Sequence, residues 1–311
     1  MTNILTLVFE IYGIAFIGFI AVKLRWFSLA ATDGLIKFVF NISIPVLMFR
    51  SLSQMELPAV LPVKLIASYY IAVLGVLFTG MGVSRFLFKY PNGKQVIFTY
   101  GGSFSNTVLL GVPIIISALG DESAFPLFLL ISFHGVSLLS TMTIFLEMSS
   151  AGGGTFWGYV KTAFAGVLKN PIIWGIVLGV LFNLTGTGYP VAVDEMLKMI
   201  AQTAIPCSLF SFGAMLSGYK IAGEVGASLA ISAIKNLLHP ALVWLLATRV
   251  FGIPLLWAQT ATLLAAMPTG FNIFLFAHRY QQAIEMSTTA ISISTIISIF
   301  TVSLLIFWFG I

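Results

Sequence analysis

Gln95 to Gly120 reads QVIFTYGGSFSNTVLLGVPIIISALG. The stretch is long and apolar enough to cross a bilayer, yet its middle holds residues that a spanning helix should avoid. Gly101, Gly102, Ser103, Ser105, Asn106 and Thr107 stand together, followed by Gly111 and Pro113. A second stretch, Leu256 to Ala277, is interrupted at its centre by Pro268, Thr269, Gly270 and Asn272. Non-helical backbone at membrane depth is tolerated only where protein or a water-filled cavity satisfies the freed amide groups. Paired interruptions in the two halves of a chain point to the binding site of a transporter. The alternative is a pair of proline kinks packed on small residues, since proline and glycine are common in membrane helices.

Composition places the whole chain in a bilayer. Of 311 residues, 59% are hydrophobic and 8% charged, against about 25% charged in a soluble domain. At about 20 apolar residues per crossing, the length allows roughly ten crossings and no sizeable soluble domain. The net charge of +5 is dispersed through loops rather than gathered into a basic run, so nucleic acid is not expected as a partner. A single cysteine, Cys207, excludes an internal disulfide and thiolate zinc clusters. The N-terminus lacks a basic n-region and carries Glu10 within its apolar run, so it reads as a retained helix.

Ten apolar segments can be marked: Ile4–Val22, Thr32–Leu52, Pro62–Phe88, Gln95–Leu119, Ala124–Met148, Pro171–Thr185, Val191–Ser217, Val225–Thr248, Leu256–His278 and Met286–Gly310. The longest connection, residues 149–170, opens on a flexible SSAGGG and continues as TFWGYVKTAFAGVLKN, which predicts an interfacial amphipathic helix. It divides five segments from five. Loops after odd-numbered segments, with their flanks, hold Lys23, Arg25, Lys37, Arg85, Lys89, Lys94, Lys161, Lys169, Lys220 and Arg279; those after even-numbered segments hold Arg50, Lys64, Lys198 and Arg249. This bias predicts odd loops in the cytoplasm and both termini outside. The halves also share a pattern, ISIPVLMF (42–49) against TAIPCSLF (203–210). Five crossings per half would give the halves opposite orientation, an inverted-topology repeat.

A helix broken at the midplane offers amide donors at one new end and carbonyls at the other, attractive to anions and cations respectively. Ser103, Ser105, Asn106 and Thr107 would add side-chain groups from one break, and Thr269 and Asn272 from the other. Gly102, Gly111 and Gly270 permit close backbone approach, while Pro113 and Pro268 remove helix hydrogen bonds. The remaining base, Lys235, falls mid-segment in VGASLAISAIKNLLHPALVWLLAT. A mid-helix lysine costs about 2.5–3.5 kcal/mol on insertion scales, so it needs a partner or an aqueous cavity. It could be a counter-charge for a substrate carboxylate, a fixed cation in place of a bound metal ion, or a structural bond to broken-helix carbonyls. His239 lies four residues on, near Asn236, and His134 in the fifth segment (SFHGVS) is the other histidine expected to be buried. Both could carry protons. No metal-ligand spacing, no Walker loop, HExxH or GxSxG is present. The chain is therefore expected to be no enzyme, to need no cofactor and to hold no metal.

At these residues the chain resembles the auxin efflux carrier family, which includes plant auxin exporters and bacterial malate and malonate permeases. The resemblance rests on Asn106-Thr107-x-x-x-Gly111-Val112-Pro113, on AAMPTGFNIFLFAHRY (265–280), on KNLLHP (235–240), on LKNP (168–171) and on KLRWFS (23–28) ahead of IPVLMF. It implies an all-α integral membrane fold of ten helices in two inverted five-helix repeats, with crossed, discontinuous fourth and ninth helices, akin to the bile-acid sodium symporters. It also implies a dimerising scaffold (1–60 and 171–218), a transport unit (61–148 and 219–311) that moves as an elevator, and a cytoplasmic linker (149–170). Asn106 would contact the substrate carboxylate and Lys235 would fill a pseudo-ion site.

Ser105 departs from the proline of plant carriers, as does the region near Ile273. The third segment (LIASYYIAVLGV) lacks their aspartate, and their long hydrophilic loop is missing. The expectation is therefore a bacterial-type secondary transporter of small organic anions in the inner membrane. Substrate would be bound by Ser103, Ser105, Asn106, Thr107, His134, Lys235, Thr269, Gly270 and Asn272, with Gly111, Pro113 and Pro268 shaping the breaks. The alternatives are a sodium- or proton-coupled symporter of the bile-acid carrier type and a membrane sensor that does not transport.

Overall fold

A computed structural model describes residues 2–57, 62–149, 157–158, 161, 165–166, 168–219, 221 and 223–310. Among these residues the chain forms helices and no strand. In chain order the helices are α1 (Thr2–Lys23), α2 (Leu29–Gln54), α3 (Val63–Leu87), α4 (Asn92–Ser103), α5 (Thr107–Leu119), α6 (Asp121–Ser149), α7 (Pro171–Leu184), α8 (Val191–Leu216), α9 (Val225–Val250), α10 (Leu255–Ala266), α11 (Asn272–Arg279) and α12 (Ile284–Phe309). Six of the described helices, α2, α3, α6, α8, α9 and α12, are long and apolar enough to cross a membrane; α5, α7 and α10 are apolar but shorter. Most of the interfacial helix expected in 155–170 lies outside the described residues.

Three helices accommodate an internal proline in one way. A π turn at Val39–Ser43 precedes Pro45, one at Thr107–Gly111 precedes Pro113, and one at Ile234–Leu238 precedes Pro240. A proline ring clashes with the carbonyl four residues earlier and supplies no N–H. Widening the preceding turn makes room for the ring while keeping the neighbouring amides bonded, as Ile44 N does to Val39 O and His239 N to Ile234 O.

The chain divides into two compact units. The first contains residues 1–62, 108–132 and 166–218. Within it α1 packs on the second half of α8, and α7 packs on the second half of α2. Both pairs approach at glycine. A Cβ on Gly175 would lie 2.5 Å from the Pro45 carbonyl oxygen, and one on Gly179 would lie 2.8 Å from that of Phe49. A Cβ on Gly213 would collide with the carbonyl of Ala15, and one on Gly18 with that of Phe210. Lipid tails are as apolar as leucine, so helices in a bilayer associate through close packing at small residues rather than by the hydrophobic effect. Polar bonds fix the register. Ser43 and Thr203 share a hydrogen bond of 2.7 Å, Asn183 Nδ2 donates to the carbonyls of Leu52 and Met55 at the end of α2, and Arg50 grips Asp194 through two bonds of 2.9 and 3.2 Å.

The second unit contains residues 63–107, 133–165 and 219–311. Here α3 lies on α4, while α9 packs on α10, α12 and α4. Buried hydroxyls along α12 bond to carbonyls of their own helix, for example Thr295 to Ile291 O and Ser298 to Thr295 O.

At one edge of this unit Glu224, just ahead of α9, accepts from Lys94 Nζ and from the Tyr90 hydroxyl. The bond from Lys94, then that from Tyr90, holds the Glu224 carboxyl below the usual carboxylate range against a smaller opposing effect of desolvation. Because its pKa is lowered by folding, the triad stabilises the protein above the normal glutamate pKa, and that contribution is lost as pH falls through the folded value. Glu224→Gln is expected to lower the melting temperature by about 2 °C at pH 7, in keeping with a surface pair of up to about 1 kcal/mol. The difference from wild type should shrink and then vanish in a thermal-unfolding series as pH falls through the folded Glu224 pKa.

Candidate functional site

The polar centre of the second unit forms where α4 and α10 stop. After Ser103 the chain turns extended at Phe104 and resumes helix at Thr107; after Ala266 it runs non-helically through Met267 to Phe271 and resumes at Asn272. Both breaks fall where the sequence places glycine, proline and asparagine, residues that forgo helix bonds at least cost. The broken ends are joined by an isolated antiparallel bridge between Ser105 and Thr269. Asn106 N donates to Pro268 O at 2.9 Å and Gly270 N to Phe104 O at 2.8 Å. Side chains complete the junction: the Thr269 hydroxyl donates to Gly101 O at 2.9 Å, and Thr269 N donates to the Ser294 hydroxyl at 3.0 Å. Gly270 is required by contact, since a Cβ there would lie 2.6 Å from the Phe104 ring.

His134 on α6 reaches the first break. Its Nε2 accepts from Ser105 N at 3.1 Å, so that nitrogen carries no hydrogen, and its Nδ1 stands 3.3 Å from the Tyr69 hydroxyl. The Tyr69 ring lies between two imidazoles, with centroids 5.9 Å from His134 and 5.7 Å from His239. Lys235 is fully buried in the π turn of α9. Its ammonium donates to the carbonyl of Ala265 and lies 3.2 Å from His239 Nδ1. Beside it, Asn236 Nδ2 donates to Ala266 O at 3.3 Å. The last carbonyls of α10, the negative end of a helix dipole, thus meet the Lys235 side-chain nitrogen and an amide.

Several polar atoms remain unbonded. Asn106 Nδ2, Ser105 Oγ, Asn236 Oδ1 and His239 Nε2 are buried without a hydrogen-bond partner. The Ser105 hydroxyl faces that of Tyr69 beyond bonding distance. A buried donor without an acceptor costs about 1–3 kcal/mol, and such a cost is removed when a ligand supplies the acceptor. Amide, hydroxyl and imidazole groups without partners thus gather around the junction and the Lys235 turn. Among the described residues no group of three His, Cys, Asp or Glu side chains could hold a metal ion.

The structure brings together Ser105, Asn106, Pro268, Thr269, Gly270 and His134, with Lys235 attached through the end of α10. Ser103 is buried in the last turn of α4, its hydroxyl 3.4 Å from Thr99 O and Tyr100 O, and Thr107 N bonds to Ser105 O at 2.9 Å. Asn272 is half-buried at the start of α11. Gly111 and Pro113 belong to the first unit, at the head of α5's regular portion. Three residues at the junction escape a reading of the sequence for site residues: Tyr69, Ser294 and the bonding role of Asn236. Tyr69 and Ser294 sit in ordinary apolar segments, and the only sequence signal is a polar group where lipid would exclude it.

The chain matches the model of the membrane transport protein family over residues 3–306. It is 26% identical over 314 residues to a protein named "Putative malonate transporter" from Rhizobium meliloti, covering 99% of this chain and 96% of that one. It is 24% identical to auxin efflux carrier component 8 of Arabidopsis thaliana, with 91% of each chain covered. It is 23% identical to the lysosomal cholesterol signaling protein of the mouse, covering 96% of this chain but 36% of that one. With its apolar helices, this match makes the chain a multi-pass integral membrane protein. It belongs to the membrane transport protein family, the family of the auxin efflux carriers.

Proposed function

We propose that the protein is a secondary transporter of small organic anions, mono- or dicarboxylates such as malonate or malate, working by alternating access. The observation that carries this reading is the buried, unbonded amide of Asn106 at a junction whose nearby fixed charge is the ammonium of Lys235. Asn106 Nδ2 donates to the substrate carboxylate, and Ser103, Ser105, Thr107, Thr269 and Asn272 shape the polar surroundings. Lys235 holds the end of α10 where a cation-coupled carrier would place sodium. The name of the Rhizobium relative points to the same substrate class.

In this reading the chain crosses the inner membrane ten times as two inverted repeats whose broken helices cross, with both termini outside. Support comes from the pairing of α1 with α8 and of α7 with α2, since two repeats related by a two-fold axis would exchange partners in this way. Residues 1–60 and 171–218 serve as a dimerising scaffold, against which the unit carrying the junction moves as an elevator.

The test is uptake of labelled malonate, malate and an aromatic carboxylate into proteoliposomes, with and without sodium or a pH gradient. At least one acid should accumulate. Asn106→Ala should lower uptake at least tenfold, as expected when a hydrogen bond of about 1.5–3 kcal/mol to a charged group is lost. If no acid moves, the transport reading fails. Binding without flux would favour a sensor instead, a reading to which the name of the mouse relative lends some weight.

A further inference from the structure

A cavity of about 260 Å³ opens in the second unit away from the junction, between the end of α3, the first turns of α4 and the end of α6. Its polar lining comes from Arg85 on α3, from Asn92, Gln95, Thr99 and Tyr100 on α4 and from Ser149 at the end of α6; Met81, Val96, Phe145 and Met148 close it with apolar surface. Thr99 and Tyr100 are each 2% exposed, and their hydroxyls have no hydrogen-bond partner. That of Tyr100 faces Thr141 without reaching it. Arg85 is exposed and has no carboxylate partner among the described residues. Glu147 on α6 is bonded to Tyr280, and Glu224, beside the first turn of α4, is bonded to Lys94 and Tyr90. The cavity therefore presents an uncompensated guanidinium at its rim, the amide end of a twelve-residue helix beside it, and two idle hydroxyl donors within.

We propose that this cavity is a second anion site, taking a short dicarboxylate before it reaches the junction. One carboxylate lies against Arg85 and the first turn of α4, where a guanidinium can grip two oxygens. The other accepts from the Thr99 and Tyr100 hydroxyls. At about 30 Å³ per water, the volume equals that of roughly nine waters, enough for a three- to five-carbon diacid. Asn92, Gln95, Thr99 and Ser103 fall at helical spacing along one face of α4. The stripe runs from the cavity to the break where Asn106 stands, so an anion leaving the cavity follows polar groups rather than apolar surface. The inference rests on the reading of the chain as an organic-anion transporter.

The experiment uses the full chain and malonate in two measurements. Thermal stabilisation by malonate should persist in Asn106→Ala, while Arg85→Gln in that background should raise the half-saturating concentration about tenfold. Uptake into inverted and right-side-out membrane vesicles should then show Arg85→Gln raising KM about tenfold, and Tyr100→Phe about threefold, from the face that bears Arg85. Vmax should stay within twofold, and KM from the opposite face should not change. Malonate stabilisation that disappears in Asn106→Ala, or that Arg85→Gln leaves untouched, overturns the second site. So does an Arg85→Gln effect seen only in liposomes containing anionic lipid, which would assign the cavity to a lipid phosphate. Stabilisation that depends on Arg85 without flux in any variant would keep the site and sink the transport reading instead.

Discussion

Lys235→Ala is expected to reduce malonate uptake below a tenth of wild type and to lower the melting temperature in detergent by about 5 °C or more. The ammonium is fully buried and serves the Ala265 carbonyl at the end of α10 together with His239 Nδ1. Alanine would leave a terminal helix carbonyl and an imidazole nitrogen without a donor. A hydrogen bond from a charged donor contributes about 1.5–3 kcal/mol, and a buried orphaned acceptor costs a comparable amount. A loss of about 2 kcal/mol corresponds to roughly 4–8 °C in a chain of this order of size. Lys235→Met keeps the aliphatic stem and removes only the charge. It should recover part of the stability and none of the uptake, which separates packing from electrostatics. Wild-type uptake by Lys235→Ala would remove this residue from the site.

The second large effect is expected in the first unit. Gly213→Val should destabilise the protein by about 3 kcal/mol or more, since even the first side-chain carbon would occupy the position of the Ala15 carbonyl. Overpacking of a side chain typically costs about 1–3 kcal/mol. Here the obstacle is backbone, which cannot rotate aside, so α1 and α8 must separate. Gly135→Ala on α6 is the control, because a Cβ there meets nothing within 4 Å. It should stabilise the helix by about 0.5–1 kcal/mol. The melting temperatures should diverge, with the yield of monodisperse protein following them. Equal melting temperatures for the two variants would mean that α1 does not approach α8 so closely.

The breaks are legible in the sequence because glycine, proline and asparagine cannot hide in an apolar run. Lys235 stands out for the same reason: a charge in such a run has to be answered. What answers it is not legible. The acceptor is a backbone carbonyl, Ala265 O, and the residue type at position 265 carries no mark of that role. The π turns ahead of Pro45, Pro113 and Pro240 are also silent in the sequence. Helices that are apolar on every side show no periodicity from which one widened turn could be read. Tyr69 lies in SYY of the third segment, and only the fold sets its ring between His134 and His239.

The bond between the two breaks constrains how the protein can be made. The Ser105 amide finds its acceptor in His134, 29 positions on and within the same half of the chain. The Asn106 amide accepts no such local solution: it donates to Pro268, and Gly101 O likewise waits for the hydroxyl of Thr269, 168 positions later. During synthesis the first half therefore reaches the bilayer before the partners that these two groups have in the folded protein. A chain that ends after residue 149 should stay with the insertion machinery or be degraded rather than settle in lipid, while co-expression of residues 150–311 as a separate polypeptide should rescue it.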